Sequence, residues 1–134
     1  MNKSLRPFWF LLSVLVVMIT ISLLRGRFGA KEIIPWRTDL PAATEESRAS
    51  GKPLLIYFTA SWCGPCQSLK HTTWADPQVE EAMRSYIPVK IDIDEHRDLA
   101  QQYQVNAVPT FAKGDDRAEG AMDSRAFLEW LGRN

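Results

Sequence analysis

Only two cysteines occur in the 134 residues, and they stand three apart. A secreted scaffold stapled by disulfides needs more of them, spread along the chain, so that class is excluded. A structural zinc takes four ligands. Cys63 and Cys66 could be completed only by His71 and His96, which lack ligand-like spacing, so no metal is expected. Net charge is also absent, the formal sum being zero, and no basic patch interleaved with aromatics points to nucleic acid. There are no repeats and no low-complexity tract. What remains is an ordinary globular composition with length for one domain and some extra.

The zero net charge hides an asymmetry. Residues 1–34 carry five cations against Glu32, leaving +4, and the remainder carries −4. The basic end flanks the single long apolar run, Phe8 to Leu24, which holds no charge. As a helix that run is roughly 25 Å long, within the usual range for a membrane span and longer than the apolar part of most cleaved signals. The nearest cleavage candidate, Phe28-Gly29-Ala30, puts a bulky Phe where a small residue is needed. No cysteine follows closely, which excludes a lipoprotein anchor. The expectation is a basic tail at 1–7, an uncleaved signal anchor at 8–24, a linker at 25–35 and a domain at 36–134. Positive charges flank both ends, so charge alone does not orient the span. A short tail ordinarily stays inside while the larger part is translocated, which puts the domain outside the cytoplasm, on the extracytoplasmic face of a single-pass inner-membrane protein.

Ala42 to Ala49 is helix-friendly and Ser50-Gly51-Lys52-Pro53 ends it. Leu54 to Ala60 is a continuous apolar, β-rich run, the pattern of a strand covered on both faces. Ser61-Trp62-Cys63-Gly64-Pro65-Cys66 follows at once and opens a short helix. Asp76-Pro77 starts another, with a capping side chain and then proline. Val89, Ile91 and Ile93 alternate with polar residues as in a strand, a helix is expected from about Glu95 to Tyr103, a strand begins at Val108-Pro109-Thr110-Phe111, and Ser124 to Leu131 closes the chain as a helix with Phe127, Leu128 and Leu131 inward. This order argues for an α/β domain with a central sheet.

A CxxC directly after a buried strand, at the start of a helix, carries specific chemistry. Residues three apart in a helical turn are neighbours, close enough for a disulfide. Cys63 lies among unpaired backbone N–H groups, which favour its thiolate. Cys66 lies one turn inside. Cys63 is then the attacking sulfur and Cys66 the resolving one. Gly64 and Pro65 set the turn, and Trp62 covers the site and offers an apolar contact to substrates. No cofactor is expected beyond the redox-active pair itself.

At Trp62-Cys63-Gly64-Pro65-Cys66 the sequence resembles the thioredoxin superfamily, from about Trp36 to Leu131. The resemblance implies a thioredoxin-like fold, a central mixed sheet flanked by helices. It implies a cis Pro109 facing the cysteines and a Val108 whose backbone pairs with substrate. Gly51-Lys52-Pro53-Leu54-Leu55 and Asp76-Pro77-Gln78-Val79 are similar to the C-terminal periplasmic domain of the thiol:disulfide interchange transducer. Two departures stand out. The family's buried Asp, six residues before the first cysteine, is here Tyr57, a phenol of pKa about 10 and a poor base at neutral pH; the more economical reading is a core aromatic. Lys90 matches the lysine beside that Asp and tunes the field. The second departure is a short stretch from Thr110 to Gly120, which predicts a truncated terminal hairpin whose last strand is missing or frayed, with an exposed sheet edge.

The expected activity is that of an anchored protein-disulfide reductase or interchange enzyme, taking protein dithiols and disulfides as partners and needing a membrane electron donor or acceptor. Two alternatives are a non-catalytic docking or chaperone module that keeps the fold, and a dedicated thiol reductase of cytochrome c maturation. His71, Trp74 and the Asp92–Asp94 run carry no functional assignment.

Overall fold

Gly51, at φ 72°, ends the second helix, and Lys52-Pro53 release the chain into β1 (Leu54–Thr59). That strand lies inside the sheet, and its side chains divide between two cores. Leu55 and Tyr57 point to one face, Ile56 and Phe58 to the other, and all four are buried. Burial on both faces is why the run is apolar without alternation.

A computed structural model describes residues 6–27 and 31–133 of the chain. Residues 1–5 of the expected tail and Phe28-Gly29-Ala30 of the expected linker lie outside them. Six helices and four strands follow in the order α1 (Arg6–Arg27), α2 (Leu40–Ser50), β1, α3 (Gly64–Leu69), a 3-10 turn (Thr73–Ala75), α4 (Pro77–Met83), β2 (Ile87–Asp92), α5 (Arg97–Gln102), β3 (Thr110–Lys113), β4 (Asp116–Glu119) and α6 (Ser124–Leu131). The sheet order is β2-β1-β3-β4; β1 and β2 are parallel, and the remaining pairs are antiparallel.

Three aspartates start helices by accepting a backbone N–H: Asp39 from Ala42, Asp76 from Gln78 and Asp123 from Ala126. Each satisfies a donor that the first helical turn leaves orphaned. On the face holding Tyr57, Trp74 sits at the centre of an aromatic cluster with ring centroids 5.1 Å from Trp36, 5.3 Å from Tyr57 and 5.0 Å from Phe127. Cys63 and Cys66 belong to the same buried cluster. The opposite face packs Ala43 of α2 against Ile56, Phe58, Val89 and Ile91.

Two expectations need correction. The second strand starts at Ile87 rather than Val89 and ends at Asp92, so Ile93 leaves the sheet. Pro88 is tolerated inside it because Ile87 N–H donates inward, to Pro53, so the donor that Pro88 lacks would face the outer edge. The last strand, expected missing or frayed, is formed: Thr110 to Lys113 pair in register with Glu119 to Asp116 around Gly114-Asp115. Lys113 locks the turn through its ion pair with Asp116, and its ammonium also meets the Leu131 carbonyl and the Trp130 ring. Trp130 joins Phe127 and Leu131 as an inward residue of α6, one the sequence reading passed over.

The segment before the sheet is part of the packing. Ile34 is buried, Ile33 N–H donates to the Trp74 carbonyl, and Arg37 bridges Val89 along the outer side of β2. In α1, the side chains from Trp9 to Ser22 are all exposed. Among the described residues, no helix is long and apolar enough to cross a membrane.

Candidate redox site

β1 ends at Thr59, and a tight turn, in which Cys63 N–H donates to the Ala60 carbonyl, carries the chain into α3. Cys63 is the N-cap of that helix. Its Sγ accepts the Cys66 N–H at 3.2 Å, the place an Asp oxygen takes at the start of α2, α4 and α6. Gly64 and Pro65 fill the first two helical positions, where a missing N–H costs nothing. Cys63 and Cys66 are joined in a disulfide with Cα atoms 5.2 Å apart. Both sulfurs' residues are buried, Cys66 completely.

Three other elements converge on the pair. The Val108–Pro109 peptide bond is cis, and the Val108 carbonyl oxygen lies 3.6 Å from Cys63 Sγ. The Pro109 carbonyl accepts from Gly120 N–H, so the end of β4 holds this turn in place. Trp62 is 67% exposed, the one large apolar side chain among the described residues left in solvent beside the cysteines. Its indole N–H donates to Asp94 at 2.8 Å, which orients the ring. Asp94 was given no role from the sequence, and only its place in the acidic run after β2 marked it.

Tyr57 and Lys90 are register partners on neighbouring strands. Tyr57 is buried among Trp36, Trp74 and Phe111, which agrees with a core aromatic. Burial pushes its phenol above the ordinary value; the Thr59 hydroxyl and Trp74 indole beside it oppose the shift, and the Glu32 charge adds to it. Lys90 is half-buried, 2.6 Å from a Glu32 oxygen and 5.4 Å from the Trp36 ring centroid. Glu32 also accepts the Trp36 indole N–H at 2.6 Å. Sequence reasoning missed Glu32; the one available signal was an isolated acid in the otherwise basic and apolar first 34 residues.

An open cleft of about 330 Å³ runs along the back of the site, lined by Thr59, Ala60, Ser61, Gln67 and Lys90. Gln67, next to Cys66, reaches across it to the carbonyls of Ala60 and Ser61. Among the described residues no group of three or more His, Cys, Asp or Glu side chains could hold a metal ion. The arrangement can do one kind of chemistry well. A sulfur at a helix start is offered to a partner, and a second sulfur waits in the core one turn away.

A thioredoxin-like family profile matches residues 35–113. Thioredoxin Y2, a chloroplastic protein of Arabidopsis thaliana, is 40% identical over 86 residues, 60% of this chain and 50% of that protein. The chain spans about half to two thirds of the length of the first curated relatives it matches. Among solved structures, a thioredoxin from Thermus thermophilus superposes with a TM-score of 0.64 at 26% identity, over 73% of this chain and 84% of that one. The reduced C-terminal domain of DsbD from Neisseria meningitidis gives 0.58 at 27% identity, over 69% and 90%.

Proposed function

The chain belongs to the thioredoxin-like family, and from that premise we propose that it exchanges disulfides with protein substrates outside the cytoplasm, as a reductase or interchange enzyme held at the membrane by its N-terminal helix. The observation that carries this reading is the Cys63–Cys66 pair, with Cys63 at the helix start beside the Val108 carbonyl and Cys66 in the core. In the reducing direction the Cys63 thiolate attacks a substrate disulfide. One S–S bond breaks, its far sulfur leaves as a thiolate, and a mixed disulfide forms at Cys63. Cys66 then loses its proton and attacks Cys63 Sγ, releasing the second substrate thiolate and closing the bond seen here. Two electrons pass to the substrate. Val108 and Pro109 offer an extended backbone edge to the bound peptide, and Trp62 offers an apolar face.

Each turnover leaves the site oxidised, so a reductase in an oxidising compartment needs electrons from a membrane partner. Two features support the tether. Residues 8–24 carry no charge. The large apolar side chains of α1, from Trp9 to Ile21, stand exposed all round the helix, an area water does not leave uncovered. A direct test is reduction of insulin by the full chain in detergent, with Cys63→Ser as the control. The parent protein is expected to precipitate the insulin B chain and the variant to match the background rate; equal rates would leave only a docking module.

A further inference from the structure

Cys66 has to lose a proton inside the core, and one carboxylate reaches that face of the domain from an unexpected place. Ile87, Val89 and Ile91 of β2 point to the α2 face, so Lys90 between them points to the cysteine face, beside Tyr57. Glu32, from the segment joining α1 to the domain, places its carboxylate on the Lys90 ammonium at 2.6 Å and accepts the Trp36 indole N–H with the same oxygen. Both side chains of this ion pair are only 21% exposed, and among the described ion pairs no other hides both partners so well. Lys90 also lines the cleft whose other wall is the turn into α3 and Gln67, the neighbour of Cys66. Tyr57, the register partner of Lys90, belongs to the same buried cluster as Cys63 and Cys66, and Glu32 adds to the burial that holds its phenol protonated.

We propose that Glu32 is a positioning residue of the Cys63–Cys66 site, its negative charge balancing Lys90 and so setting how readily the dithiol ionises. The inference rests on the thiol–disulfide reading above. A carboxylate near a thiol disfavours the thiolate and an ammonium favours it. In the intact pair the two effects largely cancel, and removing either partner uncovers the other. The segment that leads from α1 into the domain thereby becomes a component of the redox site.

Other charges share this surroundings. Lys70, Asp92, Glu95 and His96 line the same cleft, and Asp94 holds Trp62. They are common to parent and variants, so a comparison at matched pH isolates the one charge removed. The experiment is the pH dependence of thiol alkylation in the reduced full chain, for the parent, Glu32→Gln, Glu32→Asp and Lys90→Met. Glu32→Gln is expected to lower the apparent thiol pKa by roughly half a unit, the size of one partly screened charge. Lys90→Met is expected to raise it by a similar amount, and Glu32→Asp, which keeps the charge, to stay at the parent value. If Glu32 served only to seat the N-terminal segment, Glu32→Gln would lower the melting temperature and leave the pKa unmoved. No shift, or shifts of one sign in both charge-removing variants, overturns the proposal. Glu32→Gln is isosteric and decides the matter alone if Lys90→Met does not fold. Insulin reduction by the parent is read separately, so failure here leaves the thiol–disulfide reading standing.

Discussion

Replacing Cys66 with alanine should turn the full chain into a covalent trap. Cys63 keeps its position at the head of α3 and its donor, the backbone N–H of residue 66, because that contact uses no Cys66 side-chain atom. It can still attack a disulfide. The second attack is lost, since no other cysteine exists in the chain to perform it. Adducts on Cys63 should therefore accumulate toward one per chain, while multiple-turnover reduction disappears. Non-reducing electrophoresis followed by mass spectrometry reads both the yield and the identity of the partner. Partners drawn from membrane or extracytoplasmic proteins fit the proposed location. A harvest of cytosolic proteins alone would overturn that location, and no adduct at all would overturn the assignment of Cys63 as attacking sulfur.

The second large effect is on stability. Trp74 is fully buried, and its ring contacts Trp36, Tyr57, Phe111 and Phe127. Its backbone carbonyl also receives Ile33 N–H, so one residue ties the N-terminal segment, the sheet and α6 together. Trp74→Ala leaves a cavity that four aromatic neighbours of fixed geometry cannot collapse to fill. The cost for such truncations is about 3–5 kcal/mol, out of a total that for a small domain is about 5–15 kcal/mol. The thermal midpoint should drop by at least roughly 12 °C, read by near-ultraviolet circular dichroism. A midpoint within a few degrees of the parent would mean that the aromatic cluster is not the packing centre.

How much of this was legible beforehand depends on how local the code is. Cys63, Cys66 and the turn between them were readable because strand, turn and helix start are contiguous, and the chemistry follows from their order. Asp76-Pro77 marked a helix start for the same reason: the cap and the proline act within one turn. The start of β2 was hidden because Pro88 reads as a strand breaker unless one knows which side its absent donor faces. The closing strand was hidden because Asp116 to Glu119 is too polar to announce itself, and it is held by register with Thr110 to Lys113. Glu32 could not be found from pattern. It meets Lys90 across 58 positions of sequence, and long-range contacts, Ile33 N–H on the Trp74 carbonyl and the bridge between Arg37 and Val89, bring that segment alongside the sheet. The replacement of a buried acid by Tyr57 looked like a loss when read along β1 alone; in three dimensions a carboxylate enters from elsewhere.

The claim beneath all of this is electrostatic: Cys63 ionises easily because a backbone N–H at the head of α3 points at its sulfur. The direct measurement is the thiolate absorbance of the reduced full chain as a function of pH, with Cys66→Ala to identify the sulfur. The account predicts that Cys63 titrates well below the free-cysteine value of about 8.5. Ionisation of Cys63 at or above that value, with no protection of its thiolate by the helix, would contradict it.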